Sequence, residues 1–329
     1  MEHTVPISSL QRWLELAESS GLSREALLLD AGISADVIDT PSGRATPEQM
    51  LAVFQAMWEH EPDELFGRGP FPVRRGTAAL LARALISSPD LRTVLERLEQ
   101  YVPVFPGLPP FRLETAGQRT RIVVDTSALD DPNHILNDAM LAVAHRFGSW
   151  LTGLRLPLRG LELPYPMPPV PAEFELTFRV RPSYGHACAA LELDTQLLGS
   201  VVVRTEQDLD AFLARAPIGL IVLFDDDGTL AGQVRVQLSA GFDGGWPAPE
   251  RIAAHLSMSV QHLRRRLQAE RTSITQLRED ILRDLAVASL TSGTESVADL
   301  SRRLGFSEES AFRRAFRRWT GSPPGAYRR

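Results

Sequence analysis

Two short clusters of side chains in this sequence are of the types that can read a nucleic acid. Gln261, His262, Arg264 and Arg265 form the first, and Glu309, Ser310, Arg313, Arg314 and Arg317 the second. A guanidinium presents a planar fork of donors to a guanine edge or a phosphate. Glutamine pairs with adenine through two bonds, and glutamate accepts from the amino group of cytosine. At ~100° per residue each cluster becomes the polar face of a helix. The opposite faces are apolar, with Val260, Leu263 and Leu267 in the first and Phe312, Ala315, Phe316 and Trp319 in the second. One such helix is as readily an ordinary solvated amphipathic helix. Two matched ones are better explained by a shared task.

Such helices need a scaffold, and the flanking residues predict one. Pro249–Leu256, a break at Ser257-Met258, and Ser259–Gln268 form one helix-turn-helix pattern (249–268). Ser296–Leu304, Gly305-Phe306 and the stretch from Ser307 to Trp319 form a second (296–319). Ser296 and Asp299 have capping-box spacing. Gly305 supplies the positive φ at which a helix stops and turns. Ser307 is expected to cap the second recognition helix, whose amides could face a phosphate. Ile274, Leu277, Ile281, Leu285 and Leu290 mark a helix over 274–290 that would hold the two units at a fixed separation.

Charge is divided in the same way. The chain of 329 residues has a formal net charge of −6, but residues 246–329 carry fifteen arginines against nine acidic side chains, a net of +6. The first 245 residues then hold a net of −12, the asymmetry of a nucleic-acid-binding module joined to an unrelated domain. There is no lysine anywhere, and a bias that extends through the acidic half carries no functional weight. The composition, 43% hydrophobic and 23% charged, is that of a folded chain long enough for two domains.

Residues 1–224 read as α+β. Helices are expected at Ser9–Ser19, after the Thr46-Pro47-Glu48-Gln49 cap, and at Thr77–Ile86 and Leu91–Val102. Strands follow at Phe111–Glu114 and Thr120–Thr126, a long helix from Asp131-Pro132 to about Leu154, and strands at Leu161–Leu163, Glu173–Arg179 and Ala189–Leu193. A last helix starts at Thr205. Residues 225–245 read as a linker with a connecting helix near Leu230–Leu238, and its Asp225-Asp226-Asp227-Gly228 run is a solvated turn lacking the ligand spacing of a calcium loop.

On these residues the C-terminal region resembles the DNA-binding domain of AraC/XylS-family transcriptional regulators. The likeness rests on Leu256-Ser-Met-Ser259, Leu263-Arg-Arg-Arg-Leu267, Thr272-Ser273, Leu304-Gly-Phe-Ser307, Ala311-Phe312, Phe316, Trp319-Thr-Gly321, Pro323-Pro324 and Tyr327-Arg328. The resemblance implies an all-α, homeodomain-like double helix-turn-helix over 246–329. By position it implies base contacts at Gln261, Arg264, Arg265, Glu309, Ser310 and Arg314, with Arg313 on phosphate. Glu308-Glu309 departs from the neutral residues that many relatives carry there. Residues 1–224 resemble, through the helical start, the Leu161–Pro166 segment and the Glu173–Arg179 strand, the large arabinose-binding-like domain of ornithine-utilisation and virulence regulators. That implies a sensing and dimerisation domain, a small-molecule effector that the residues do not name, a homodimer, double-stranded promoter DNA as partner, and contact with RNA polymerase. The function implied is a sequence-specific regulator, expected to be an activator although the residues do not separate activation from repression; the alternative is a ligand- or partner-binding protein whose helix-turn-helix no longer reads DNA.

Enzymatic readings find little support. His186 and Cys188 are two apart, as neighbours on one strand face would be, and lack a third orienting group. His134 and His145 share an expected helix without nearby carboxylates, so no metal site is expected. Cys188 lies in His-Ala-Cys-Ala-Ala, unlike the Pro-Cys-His-Arg of DNA-repair methyltransferases joined to similar modules. No phosphate loop or nucleophile elbow occurs, so neither catalytic residues nor a cofactor are expected. With one cysteine there is no internal disulfide. No secretory signal is read at the N-terminus, and the best apolar run, Ile218–Phe224, is far below the ~20 residues that span a bilayer. The expected location is the cytoplasm, with no membrane partner.

Overall fold

The computed structural model describes residues 4–167, 178, 180–214, 230–241, 245–270 and 272–328. They divide into two compact units: residues up to 54 together with those from 230 onward, and residues 55–214. The expected strand Glu173–Arg179 lies, Phe178 apart, outside the described residues, as does the Asp225–Gly228 turn.

The unit of residues 55–214 is a five-stranded sheet backed by helices. Its strands are β3 (Phe111–Ala116), β4 (Arg119–Val124), β5 (Leu158–Leu163), β6 (Ser183–Tyr184) and β7 (Ala189–Asp194), in the order β3-β4-β7-β5-β6. All pairs are antiparallel except β5–β6. Gly117, at φ +59, turns the β3–β4 hairpin, a conformation glycine adopts without steric cost. Ile122 pairs with Leu191, and these with Leu161 and Leu163 turn apolar side chains toward helices α6 (Leu91–Tyr101) and α7 (Ile135–Thr152). Leu91, Val94, Leu95, Leu141 and Leu151 complete the core. On the sheet's polar residues, Arg121 binds Glu162 through two bonds of 3.2 and 2.5 Å and also pairs with Glu114. Helix α5 (Thr77–Leu85) precedes α6, and α8 (Glu206–Leu213) starts on a full capping box between Thr205 and Asp208.

The other unit joins the two ends of the chain. At its N-terminal side, α1 (Ile7–Ser19), α2 (Arg24–Ala31), α3 (Ala35–Ile38) and the start of α4 (Pro47–His60) pack around Trp13 and Phe54, whose rings meet edge-on at 4.8 Å. The cap at Thr46 and Gln49 forms as its spacing predicts, with bonds of 2.9 and 3.3 Å. Strands β1 (Val5–Pro6) and β2 (Arg44–Ala45) pair across this segment. At its C-terminal side are α9 (Leu230–Ala240), α10 (Pro249–His255), α11 (Val260–Ala269), α12 (Ile274–Ser292), α13 (Val297–Arg303) and α14 (Glu309–Thr320). Helix α9 puts Leu230, Val234 and Leu238 into one cluster with Ile252, Leu263, Leu267, Leu277 and Ile281. A helix expected to lie in a linker is thus part of a core.

What ties these segments together is a carboxylate in the middle of α12. Asp284 is 1% exposed. Arg235 on α9 reaches its Oδ2 at 2.5 Å, Arg283 its Oδ1 at 3.3 Å, and the Thr4 hydroxyl donates to Oδ1 at 2.5 Å. Arg44 donates in turn to the Thr4 hydroxyl at 2.9 Å. Burial pushes the Asp284 pKa up, but Arg283, Arg235 and Arg44 together with the Thr4 bond outweigh it and hold the group below the usual carboxylate range. Around this hub the Arg44 amide donates to the Tyr327 hydroxyl at 2.9 Å, and Thr40 and Ser322 share a hydroxyl bond of 3.0 Å. Gly321 lets the two segments approach: a Cβ there would stand 2.4 Å from the Thr40 methyl.

Removing one partner of a buried ion pair strands the other charge. Asp284→Asn is therefore expected to cost about 3 kcal/mol, and Asp284→Asn with Arg235→Met to recover most of it. Because the folded pKa is depressed, the stability Asp284 supplies is complete above its unfolded value of 3.8 and is lost as pH falls through the folded value. Urea denaturation of full-length protein at neutral and acidic pH checks both; equal stability of wild type and single variant at pH 7 would contradict them.

Candidate nucleic-acid interface

The two helix-turn-helix units form as expected, and their turns show how. In the first, α10 ends at His255 and the chain reverses through Ser257 at φ +54, a left-handed residue that is not glycine. Ser259 then caps α11 by accepting from the His262 amide at 3.2 Å. In the second, α13 begins on the Ser296 cap, bonded to the Asp299 amide at 3.1 Å, and reverses through Gly305 at φ +83. Here one expectation fails. Ser307 does not cap α14; the N-cap is Glu308, extended at φ −137, and no side-chain cap bond forms. The chain stays extended one residue longer than in the first unit, and the Glu308 carboxylate accepts from the Ser310 hydroxyl at 3.1 Å instead of from the backbone. The first amides of α14 are left without a side-chain cap, beside two carboxylates.

Each recognition helix buries its expected stripe. Leu263 and Leu267 are buried on α11 with Val260 half-buried; on α14 Phe312, Ala315 and Phe316 are buried and Trp319 half-buried. Edge-on contacts of Phe306 with Phe312 at 5.5 Å and of Phe316 with Tyr327 at 5.2 Å fix α14 on its support. Helix α12 packs against α13, α14 and α9, so it is the common support. Arg278 on α12 donates to the Pro247 carbonyl at 2.9 Å and lies 5.5 Å over the Trp246 ring, holding the entry to the first unit.

The polar faces stand outward. Gln261, His262, Arg264, Arg265, Ser310, Arg313, Arg314 and Arg317 are exposed, and Glu309 is half-buried. Among the described residues Arg264, Arg265, Arg314 and Arg317 have no acidic partner. Arg266, which the sequence reading omitted, is also exposed and without one; it sits between Leu263 and Leu267 in sequence, which hid it in the apolar stripe. Arg313 differs. Its Nη2 lies 2.5 Å and its Nε 2.7 Å from Glu309 Oε1, an i,i+4 pair on α14. Arg302, Arg303 and Arg318 are likewise engaged, by Asp299, Glu295 and Glu279. Arg251 on α10 apart, the exposed basic groups left over thus lie on the two recognition helices.

The histidine and cysteine candidates lie apart. His134 caps α7 at φ +59 and stacks on Tyr165 at 4.1 Å, while His145 is buried and bonded to the Leu156 carbonyl at 2.8 Å. His186 and Cys188 precede β7 rather than lying on a strand, and His186 bonds Ser183 at 2.8 Å. Among the described residues no three His, Cys, Asp or Glu side chains are grouped to hold a metal, and no helix is long and apolar enough to cross a membrane.

Comparison with known proteins agrees with this geometry. Residues 21–201 match the family described as the arabinose-binding domain of AraC transcription regulator, N-terminal, and residues 252–329 match a helix-turn-helix domain. The chain belongs to the AraC family of transcriptional regulators. It is similar to the ornithine utilization regulator of Pseudomonas aeruginosa, 26% identical over 98% of this chain and 96% of that one. An uncharacterized helix-turn-helix-type regulator of Mycobacterium tuberculosis is 38% identical, over 26% of this chain and 25% of its own length. Among solved structures, the transcriptional regulator CdpR of Pseudomonas aeruginosa shares 21% identity over 84% of this chain and 90% of that chain, with a TM-score of 0.29. As an AraC-family member the protein is a DNA-binding transcriptional regulator with an N-terminal ligand-binding domain, α+β in fold, ahead of a helical DNA-binding domain.

The Glu309–Arg313 pair is exposed and so weak in water, but it competes with any phosphate for the guanidinium. Glu309→Gln is expected to raise affinity for random-sequence duplex several-fold and to steepen the salt dependence by about one unit of log Kd per log salt. Fluorescence anisotropy across a salt series measures both; an unchanged slope would place Arg313 away from the DNA backbone.

Proposed function

We propose that this regulator is a homodimer that reads promoter DNA with two recognition helices per protomer, and that an effector bound by its N-terminal domain controls this reading. Gln261, His262, Arg264 and Arg265 on α11 and Glu309, Ser310, Arg314 and Arg317 on α14 are the proposed base and phosphate contacts, with Arg313 on phosphate once released from Glu309. The observation that carries this reading is that Arg264 and Arg265 on α11 and Arg314 and Arg317 on α14 stand exposed without an acidic partner, on two helices whose buried stripes pack with α12. A module kept only as a partner surface has no need to leave cations uncompensated on both recognition faces.

In function, residues 1–224 serve sensing and dimerisation and 246–329 serve DNA reading, with 225–245 between them, although the first helices pack in the same compact unit as the DNA-reading helices. The reading includes activation through contact with RNA polymerase, a cytoplasmic location, and no catalytic step. Its support is family membership together with the acidic N-terminal and basic C-terminal charge division.

Selection of bound sequences from a random duplex pool by full-length protein tests the reading. Two conserved blocks per protomer about one helical turn apart are expected; a single short block would contradict it. Arg265→Ala and Arg314→Ala should each cost about 1–3 kcal/mol on the selected site, each confined to a different block, with the helical circular dichroism spectrum unchanged.

A further inference from the structure

Aligned on their N-caps, Ser259 and Glu308, the two recognition helices follow one plan. Leu263 and Leu267 stand four and eight residues after the first cap, Phe312 and Phe316 at the same places after the second, and all four are buried. Arg264 then corresponds to Arg313, and Arg265 to Arg314. The next position breaks the match. It is Arg266 on α11, exposed and without an acidic partner, and Ala315 on α14, buried.

This difference falls where a groove-bound helix meets the backbone. A helix with its side chains is about 10–12 Å across and the major groove about 12 Å wide, so a seated helix turns its two flanks to the phosphates of the two strands. At ~100° per residue Arg264 and Arg266 lie on either side of Arg265. Both flanks of α11 thus carry a guanidinium with no acidic partner. On α14 one flank is Arg313, paired with Glu309 at 2.5 Å, and the other is apolar.

The surroundings differ in the same sense. Residues 249–268 hold four arginines and one acidic residue, Glu250, and among the described residues none of the four has an acidic partner. Residues 296–319 hold six arginines, and Glu279, Glu295, Asp299 and Glu309 engage four of them. Glu270, at the end of α11, is occupied by the Leu230 and Ala231 amides at 3.3 and 2.9 Å. The start of α14 instead bears Glu308 and Glu309, which repel a phosphate.

We propose that Arg266 is a DNA-phosphate contact which, with Arg264, grips both strands, so that the two units are unequal. Helix α11 supplies most of the backbone affinity, and α14, through Arg314 and Arg317, supplies base discrimination with little backbone hold. The proposal rests on the reading of both helices as DNA-binding. Each phosphate neutralised adds about 0.9 to the slope of log affinity against log salt. An arginine in the last turn of a helix also complements the helix dipole, but that acts on stability and leaves the salt slope alone.

Fluorescence anisotropy of full-length protein on the selected site and on a random-sequence duplex, each across a salt series, tests this. Arg266→Gln is expected to lower the slope by about one on both duplexes and to weaken both by the same factor, about fivefold at ~0.15 M salt. Arg266→Lys keeps a point charge and should restore the slope. Arg313→Gln should leave the slope as it is, and Arg314→Gln should weaken the selected site alone. A slope unmoved by Arg266→Gln overturns the phosphate contact; a lowered thermal stability beside it would assign the side chain to the helix end. Loss confined to the selected site and not recovered by Arg266→Lys overturns it too, because the side chain then reads a base. Equal falls in slope for Arg266→Gln and Arg313→Gln overturn the inequality. Selection of a single block defeats the two-helix reading, whereas the random-duplex slopes need no selected site and decide the role of Arg266 alone.

Discussion

The DNA-reading unit depends on one buried charge. Asp284, at 1% exposure in the middle of α12, cannot ionise without cations at hand. The chain brings them from three places: Arg283 from the same helix, Arg235 from α9, and Arg44 through Thr4 from the N-terminal segment. A buried ion pair is weak evidence for stability but leaves few alternative arrangements, because each misplacement strands a charge. Helix α12 is also the surface on which α13 and α14 pack and the partner of α9. Where α12 sits therefore governs both recognition helices, and the Asp284 contacts govern where α12 sits.

The rest of the unit divides binding from support. Leu263, Leu267, Phe312 and Phe316 give each recognition helix its place through burial, and of the arginines opposite them Arg264, Arg265, Arg314 and Arg317 have no acidic partner and can meet a ligand with regularly spaced negative charge. The remaining basic groups of this region are largely engaged at home: Arg303 with Glu295, Arg302 with Asp299, Arg318 with Glu279. Pairing off most of the surrounding cations, Arg251 on α10 excepted, concentrates the positive field on two faces instead of spreading it over the whole module. The acidic remainder of the chain, with a net of −12 in the first 245 residues, works in the same direction by repelling DNA elsewhere.

Much of this was legible in the residues because the signals are local. The 3.6-residue spacing of Leu263 and Leu267, the serines at 259 and 296, and Gly305 act within a turn or two of chain, and each does what its chemistry predicts. The hairpin around Gly117 and the helices at 77, 91 and 205 were readable for the same reason. Features made by distant residues were not. The Thr4–Asp284 bond spans 280 positions, and nothing near Asp284 marks it as buried except that it adjoins Leu285 in an apolar repeat. The place of α9 in the core of the first helix-turn-helix unit likewise depends on tertiary packing. Ser307 misled because its counterpart Ser259 does cap; one additional extended residue, Glu308, moved the start of the helix.

If α12 fixes the two recognition helices as one rigid reader, their spacing on DNA cannot adjust. The most direct test is the affinity of full-length protein for its selected site with about five base pairs, half a helical turn, inserted between the two blocks, beside an otherwise identical intact site. The inserted site puts the second block on the opposite side of the duplex, and binding should fall to the level of a site with that block scrambled. Equal affinity for the intact and inserted sites would contradict the rigid-reader account.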